Sequence, residues 1–407
     1  MNRFFLLVIA VIVFLSGCKN NNSVPDKNAA FEKELQEKFI KAQEGDIIEL
    51  PEGTFFLSRS LVLDGVKNVT IKGSGTGKTI LSFKRQMEGA EGLKITATGV
   101  TLEDFAVVDT KGNAVKIQDA NNVTFRRIKA GWNSLQNPNN GAYGLYPVGC
   151  TSVLIEDCEV SGASDAGIYI NQSKNIIIRK NHVHDNMVGI EIENSTDADA
   201  YENLSENNSS GLLVFALPDL PRKSTSRYRI FNNRIYTNNA ANYVAKGNVA
   251  SEIPAGSGIV IIAGGHGEVF NNDFSGQNTF SLAVISYSSL NKTYNDSLYN
   301  PYCGGISIHD NKIARGTGSA DVNGALGKLL AEICGTKTAD IVYDGVVNPA
   351  GKNTDGSPKE SERICMRNNG NIVFSNLDVP GKGKNRSNDI SKFNCGLTPL
   401  LEIKLNQ

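Results

Sequence analysis

The sequence predicts an all-β fold: a single-stranded right-handed parallel β-helix (a solenoid) with an N-terminal capping helix and a small C-terminal cap. Eight short segments alternate apolar and polar residues, the period-two pattern of a strand. They are VTLEDFAV (100–107), VTFRRIKA (123–130), VLIEDCEV (153–160), IIIRKNHV (176–183), ADAYENLS (198–205), YRIFNNRI (228–235), EVFNNDF (268–274) and ISIHDNKI (306–313).

One aligned position in these segments recurs at intervals of 22–23 residues, or of 30 and 39 residues where a loop is inserted. Its occupants are Phe105, Ile128, Cys158, Asn181, Asn203, Asn233, Asn272 and Asn311. An inward asparagine can donate to one turn of a coil and accept from another, which satisfies buried polar groups. The repeat therefore predicts an internal asparagine ladder.

A second strand lies between successive segments and mostly begins with glycine. It reads AVKI (114–117), GLYP (144–147), GIYI (167–170), GIEI (189–192), GLLV (211–214) and GIVI (258–261). A unit with two or three such short strands cannot bury its own apolar face, but it can do so when it is stacked on its neighbours. A stack of this kind is a solenoid.

The repeat has a different kind of segment at each end. Near the N-terminus Phe31, Leu35, Phe39 and Ala42 fall on one helical face, and a helix there would cover the open strand edges of the coil. We assign residues 30–317 to the β-helix with this capping helix. Residues 318–407 break the repeat and are predicted to form the C-terminal cap, with a helix at 320–333 and one more strand at 371–379.

Two resemblances agree with this fold. The string EGDIIELPEGTF (44–55) resembles the first rung of the pectin-lyase-like superfold. GAYGLYPVGC, SGASDAGIYINQS, GIEIENSTDADAYEN and LLVFALPDLP together resemble a bacterial lipoprotein family of tandem parallel β-helix repeats. That resemblance implies a fold and a location in the cell envelope, and it implies no particular activity.

The first residues predict export and lipidation. Arg3 precedes a short apolar run, which is typical of a signal peptide, and the ending LSGC resembles a lipobox. The resemblance implies cleavage after residue 17, a lipid on Cys18 and a tether over 18–29. We therefore expect a lipid-anchored membrane protein facing the periplasm or the cell exterior. Without residues 1–17 the chain has 40 basic and 42 acidic residues, which argues against a nucleic-acid partner. We expect a monomer.

Six cysteines remain after Cys18, and an exported chain with an even number can form disulfides. We expect pairing among the four near the C-terminus, whose connectivity is open: Cys303, Cys334, Cys365 and Cys395. Cys158 occupies the inward column and is predicted to be a free core residue.

The G-I-x-I strands resemble the sheet that carries the substrate groove in polysaccharide-active β-helices. Their outward positions form a ribbon in which tyrosine can stack on sugars, a carboxylate can act as a base and lysine can neutralise a uronate. The candidate catalytic residues are Glu191, Tyr169 and Asp165, and the candidate substrate-binding residues are Lys116, Tyr146 and Glu193. Hydrolysis needs two carboxyls, which only Asp165 with Glu191 or Glu193 could supply. A solvated ladder of polar side chains is the alternative.

Two known glycosidase and epimerase patterns are incomplete. The polygalacturonase pattern needs paired aspartates, but Asp165 is followed by Ala166, and the related string GHG (265–267) is interpreted as a turn. The Asp-Pro-His-Asp motif of alginate epimerases corresponds to YPVG (146–149), which has neither the acids nor the histidine.

His182 and His184 alternate with inward residues and are predicted to point outward. With Glu206 one rung away they are a weak candidate metal site, because such a site usually has a third or fourth ligand. No cofactor is expected, and a metal ion is the one kind left open.

Two insertions, 215–227 and 286–305, leave the ribbon's sheet beside the apolar outward positions Leu213, Val260 and Ala283. They are interpreted as lids over an apolar patch, a glycan wall or a docking surface. Two functions follow. One is a polysaccharide-binding or -processing protein: a lyase, epimerase or hydrolase acting on uronates if it is an enzyme. The other is a non-enzymatic envelope scaffold that docks another exported protein or a metal.

Overall fold

The computed structural model describes residues 27–244, 247–335 and 338–405. The predicted signal peptide (1–17), Cys18 and most of the tether lie outside this part of the chain. Two helices are described, α1 (Lys27–Lys41) and α2 (Gly324–Cys334), and the remaining regular structure is almost entirely β.

Thirty short strands follow one another along the described part of the chain. The first nine are β1 (Ile47–Glu49), β2 (Gly53–Phe56), β3 (Arg59–Lys67), β4 (Thr70–Lys72), β5 (Thr79–Ser82), β6 (Glu88–Thr98), β7 (Val100–Val108), β8 (Val115–Gln118) and β9 (Asn121–Gly131). The next twelve are β10 (Tyr143–Val148), β11 (Thr151–Glu156), β12 (Glu159–Ser161), β13 (Ala166–Asn171), β14 (Lys174–Arg179), β15 (His182–His184), β16 (Val188–Glu193), β17 (Thr196–Tyr201), β18 (Leu204–Glu206), β19 (Ser210–Phe215), β20 (Thr225–Phe231) and β21 (Arg234–Tyr236). The last nine are β22 (Ser257–Ile262), β23 (Gly264–Phe270), β24 (Asp273–Gln277), β25 (Phe280–Ile285), β26 (Gly304–His309), β27 (Lys312–Arg315), β28 (Ile341–Tyr343), β29 (Ile364–Arg367) and β30 (Phe374–Asn376).

These strands form two long sheets, and the strands within each sheet pair in parallel. Sheet 1 has eleven strands in the order β3-β6-β8-β10-β13-β16-β19-β22-β25-β28-β30, and sheet 2 contains the other nineteen. Because each strand pairs with the one a full turn later, the chain climbs one rung per turn. Inward aliphatic residues from every rung meet in one continuous core. The predicted all-β parallel solenoid is confirmed.

The N-terminal cap is also confirmed. Leu35 and Phe39 of α1 are buried against the first rungs, and Phe31 and Ala42 pack beside them. The helix also supplies a carboxylate: Glu32 accepts hydrogen bonds from the backbone and hydroxyl of Ser58 at 2.7 and 3.1 Å. This end of the coil is therefore closed by both apolar and polar contacts.

The predicted asparagine ladder runs through the interior. Asn181 Nδ2 donates to Asn203 Oδ1 at 2.9 Å, and Asn203 Nδ2 donates to Asn233 Oδ1 at the same distance. The chain of bonds continues through Asn272 and Asn311. A second ladder, which the sequence analysis missed, links Asn186, Asn208, Asn238 and Gln277 at the next corner.

We expect Asn203→Leu to lower the free energy of unfolding by ~1–3 kcal/mol, because Asn181 and Asn233 would each lose a buried hydrogen-bond partner. Chemical denaturation of the two proteins measures this difference. Asn121→Leu is a matched control, because Asn121 is an exposed strand residue at the start of β9 on sheet 2. Equal stability of the Asn203 variant and the unsubstituted protein would contradict the role of the ladder.

The β-helix extends further than predicted. Strands β28, β29 and β30 pair in parallel with the preceding rungs and carry the coil to Asn376, beyond the predicted end at residue 317. The insertion that contains α2 separates this last rung from the repeat and hid it from the spacing pattern. Asn369 still joins the ladder, since its Oδ1 accepts from Asn311 Nδ2 at 2.9 Å.

The interpretation of GHG (265–267) as a turn is wrong. These residues belong to β23, which pairs with β20 and β26. Gly267 lies against the ring of Tyr228, where an added Cβ would come within 2.2 Å of ring atoms. The glycine thus makes room for a buried tyrosine inside a strand.

The cysteine prediction is partly corrected. Cys365 and Cys395 form a disulfide, whereas Cys303 and Cys334 are free. Cys303 is buried in the core, where its sulfur lies 3.3 Å from the Ile285 carbonyl oxygen, and Cys334 is a partly exposed residue at the end of α2. Cys158 is a free core residue, as predicted.

Candidate active site

The ribbon predicted from the sequence is a row of outward side chains along sheet 1. In successive rungs Lys116 lies beside Tyr146, and Tyr169 lies beside Glu191. The row extends past these residues at both ends: Val62 and Lys94 precede them, and Leu213, Val260, Ala283 and Val342 follow them. We call the whole row the ribbon.

Three tyrosines form a stack at the middle of the ribbon. The ring centroids of Tyr146 and Tyr169 are 4.9 Å apart and nearly parallel, and Tyr143 packs on both at 4.9 and 4.2 Å. Lys116 Nζ lies 5.4 Å from the centre of the Tyr146 ring. Tyr146 and Lys116 are partly exposed, whereas Tyr169 is buried. Tyr146 is therefore the better placed of the two predicted tyrosines to contact a sugar.

The sequence analysis missed Tyr143. The tyrosine is the first residue of β10, where strict alternation would have turned it inward. Its hydroxyl instead donates to Asp165 Oδ2 at 3.3 Å on the outside of the sheet. Gly144 follows it, and the close approach of Gly167 in the next rung leaves no room for a side chain there. A glycine after an aromatic residue in AYGLYP was the available signal.

Three buried carboxyl groups lie beside the tyrosines. Glu193 accepts a hydrogen bond from the Tyr169 hydroxyl, which in turn accepts from Asn171 Nδ2 at 2.6 Å. Asp165 Oδ2 accepts from Asn248 Nδ2 at 2.5 Å. Only 3% of Glu191 is exposed. The structure thus brings all three predicted acids together, but they are buried and do not lie on an open surface.

Burial raises the pKa values of all three acids, and neighbouring negative charge raises those of Glu191 and Glu193 further. Burial raises the pKa of Asp165 to about 6 and that of Glu193 to about 7. The pKa of Glu191 is raised well above its ordinary value by burial and then by the charges of Asp165 and Glu193. No lysine, arginine or histidine in the described ranges pairs with any of the three. The cluster therefore holds protons near neutral pH.

Two oxygens in this cluster lack a hydrogen-bond partner. They are Asp165 Oδ1 and Glu191 Oε1, and both are buried. A buried polar atom without a partner costs free energy, so its retention in a protein favours a role in binding or catalysis over one in stability. A protonated Glu191 is suited to donate a proton, which differs from the role of a base expected from the sequence.

We expect the protein to lose stability as the pH rises from about 5 to about 8. Each raised pKa means that the folded protein holds a proton which the unfolded chain has released above its lower pKa. The unfolded state then binds fewer protons, so the free energy of unfolding falls with rising pH through the folded-state values of Asp165 and Glu193. Thermal unfolding across this range measures the effect.

Glu193→Gln should flatten that profile, because the amide does not ionise. Glu202→Gln is the control, because Glu202 is exposed in the bend between β17 and β18, and it should leave the profile unchanged. A wild-type profile that rises steadily from pH 5 to 8 would contradict the proton-holding cluster.

The two histidines lie on sheet 2 and not on the ribbon. His182 Nε2 is 2.9 Å from Glu206 Oε1, and His184 Nδ1 is 2.8 Å from Asp185 Oδ2. Both point outward, as predicted. Within the described residues no group of three or more histidine, cysteine, aspartate or glutamate side chains has a metal-binding arrangement. The pairs are explained as surface hydrogen bonds.

The apolar half of the ribbon is covered by the chain itself. Leu213, Val260 and Ala283 have no exposed surface. They belong to a second apolar cluster with residues of the insertion 286–305, of the 3₁₀ turn Val249–Glu252 and of α2, including Val249, Ala250, Tyr287, Leu290, Tyr299, Leu326 and Leu330. Of the three interpretations of the insertions, the geometry favours lids over an apolar patch.

Comparison with known families classifies the fold. The model of the right-handed β-helix region matches residues 64–219 and 133–298, which together exceed half of the chain. The chain therefore belongs to the right-handed β-helix family, and the predicted handedness is confirmed. Comparison with curated proteins finds no match.

Two solved structures share this fold. The A-module of the Azotobacter vinelandii mannuronan C-5 epimerase AlgE4 is 14% identical and has a TM-score of 0.56, covering 84% of this chain and 91% of that one. The A-module of AlgE6 from the same organism is 12% identical with a TM-score of 0.51, covering 85% and 91%. At this identity the similarity establishes the architecture alone, that of a right-handed β-helix. Among the described helices none is long and apolar enough to cross a membrane.

Proposed function

We propose that this protein is a lipid-anchored, extracytoplasmic β-helix protein that processes an acidic polysaccharide by proton transfer. The observation that carries the proposal is the cluster of Asp165, Glu191 and Glu193. Three buried carboxyls with raised pKa values lie beside the tyrosine stack. Tyr146, the partly exposed member of that stack, lies next to Lys116. A catalytic acid or base works best when its pKa is near the working pH, and two of these pKa values lie there.

The residues divide into a binding part and a reacting part. Lys116 would neutralise a uronate carboxylate, and the Tyr146 ring would stack on a sugar face. Glu191 would donate a proton, and Asp165 would accept one when it is ionised. Tyr169 and Asn171 hold Glu193 in place through their hydrogen bonds. The proposal requires no cofactor.

The comparisons support the proposal only at the level of the fold. The two similar modules are named as epimerases of mannuronan, which is a polyuronate. Their reaction cannot be transferred by fold alone, and YPVG (146–149) departs from the motif of that family. The proton-transfer reaction could therefore be elimination, epimerisation or hydrolysis, and its products distinguish the three.

A scaffold function is less well supported. The apolar outward positions that suggested a docking surface are already covered by Val249, Tyr287 and Leu330 of the same chain. A docking partner would have to displace these side chains. The polar half of the ribbon, by contrast, has partly exposed side chains that can meet a ligand directly.

The test is a panel of polysaccharides incubated with the purified protein. Polygalacturonate, polymannuronate and a neutral glucan are compared for unsaturated products, new reducing ends and changed sugar configuration. The proposal predicts change in at least one polyuronate and none in the glucan. A protein that neither binds nor changes any polyuronate in the panel would contradict the proposal.

We expect Tyr146→Ala to weaken oligouronate binding by ~1–2 kcal/mol, about ten-fold in affinity, because the sugar loses its ring contact. Calorimetric titration measures the dissociation constant. Tyr201→Ala is the control, because Tyr201 is a partly exposed aromatic residue on sheet 2. Equal loss in both variants would show that the effect is not specific to the ribbon.

A further inference from the structure

We infer that the ribbon is a groove closed at one end, so that it takes the terminus of a polyuronate chain and not its interior. This inference rests on the proposed function and concerns how the same site selects its substrate. The relevant feature is a change in exposure along the row. The side chains are accessible on one side of the tyrosine stack and covered on the other.

The open side lies towards the N-terminal rungs. Val62 is 39% exposed, Lys94 is exposed, and Lys116 and Tyr146 are partly exposed. These four residues occupy successive rungs, which are roughly 4.8 Å apart in a parallel sheet. An extended oligosaccharide can therefore lie across this side, with its carboxylates near Lys94 and Lys116.

The closed side begins at the carboxyl cluster. Tyr169, Asp165 and Glu191 are each at most 6% exposed, and the next outward residues of the row have no exposed surface. Asn248 reaches over the edge and donates to Asp165. The short 3₁₀ turn Val249–Glu252 follows, and its first two residues are buried in the apolar cluster. A polysaccharide could not continue along the sheet in this direction.

Specific contacts hold the cover in place. Lys223 Nζ and the Asp219 backbone N–H bind Asp296 at 2.6 and 3.0 Å, which ties one insertion to the other. The Tyr299 hydroxyl donates to the Ala216 carbonyl at 2.7 Å. These bonds link segments more than seventy residues apart in sequence. The insertions 215–227 and 286–305 are therefore packed against each other and form a fixed wall at the closed end of the ribbon.

The chemistry at the wall suits a chain end. A terminal sugar has a free hydroxyl where an internal sugar is joined to its neighbour. Asp165 Oδ1 and Glu191 Oε1 are the two unpartnered oxygens, and both lie at the closed end of the row. A terminal sugar would place its free hydroxyl against this end of the groove, where an internal sugar would have to carry the next residue of the polysaccharide into the wall.

The experiment counts the proteins bound per polyuronate chain. Polygalacturonate and polymannuronate fractions of a short and a long defined length are titrated with the protein, and sedimentation gives the number bound per chain. End recognition predicts the same number on short and long chains. A number that grows in proportion to chain length would overturn end recognition and leave the proposed function standing. Failure to bind either polyuronate at either length would overturn both.

A pair of lysine variants tests the direction of the chain. Lys94→Ala should weaken binding of oligogalacturonate or oligomannuronate long enough to reach it by several-fold, and should leave the shortest binding oligosaccharide unaffected. Lys312→Ala changes an exposed lysine on sheet 2 and should leave both unaffected. If Lys94→Ala lowered the affinity for the shortest and the longest oligosaccharides equally, the bound oligosaccharide would not run towards the N-terminal rungs.

Discussion

Glu191→Gln is expected to abolish turnover of the polyuronate while leaving its binding nearly unchanged. The amide has the shape of the protonated carboxyl, so it preserves packing, but it cannot donate a proton to a leaving group. Loss of a positioned acid or base typically reduces the rate by about 10²–10⁴-fold. Steady-state kinetics measure the rate, and calorimetry measures the affinity.

Two controls separate catalysis from folding in this variant. Thermal unfolding at pH 8 should show that Glu191→Gln is at least as stable as the unsubstituted protein, since it removes a group that is costly to ionise in a buried site. The double variant His182→Ala/His184→Ala should retain both binding and turnover, because the two histidines lie on sheet 2. Full turnover by Glu191→Gln would exclude this carboxyl as the proton donor.

Cys18→Ser is expected to release the protein from membranes or to leave an uncleaved precursor. The serine hydroxyl cannot replace the thiol that carries the lipid in the lipobox reading. Membrane fractionation and the mass of the N-terminal peptide measure the two outcomes. Cys334→Ser is the control, because Cys334 is a partly exposed free cysteine and its variant should stay in the membrane fraction.

An unchanged distribution and an unchanged N-terminal mass in Cys18→Ser would contradict the proposed anchor. That result would leave the ribbon and its chemistry untouched, because the contacts that define the site join residues between 116 and 248. Location and activity can thus be tested independently.

The repeat could be predicted from the sequence because each rung has the same pattern of inward and outward residues. An inward asparagine, an apolar neighbour and a glycine corner recur at nearly constant spacing, so the ladder through Asn203 and the row through Tyr169 and Glu191 followed directly. Parallel stacking places equivalent residues side by side. The register of the strands along the ribbon could therefore be predicted without knowing the structure of the loops.

The cover over the site could not be predicted in the same way. Asn248 lies 83 residues from Asp165 in sequence, and no repeat relates the two. The burial that raises the pKa of Glu191 comes from its packing in the folded protein. The alternation of residues predicts that the Glu191 side chain points away from the core of the coil. It does not reveal that other segments of the chain cover that side chain.

The predictions of the disulfide pairing and of the end of the β-helix were wrong for a related reason. Cys303 lies near the end of the insertion 286–305, where the chain re-enters the core, and counting cysteines does not reveal that position. The rung formed by β28, β29 and β30 comes after the α2 insertion, which interrupted the spacing on which the repeat was recognised. In each case an insertion lengthened the spacing in sequence between equivalent positions of successive rungs. The residues after the insertion still occupied the next position in the coil.

The most direct test of the account is a crystal structure of the protein with a bound oligogalacturonate or oligomannuronate. We predict a sugar stacked on Tyr146 with a carboxylate near Lys116, and a terminal sugar at the end of the groove formed by Asp165 and Glu191. An oligosaccharide bound on sheet 2 near His182, with the ribbon left empty, would contradict it.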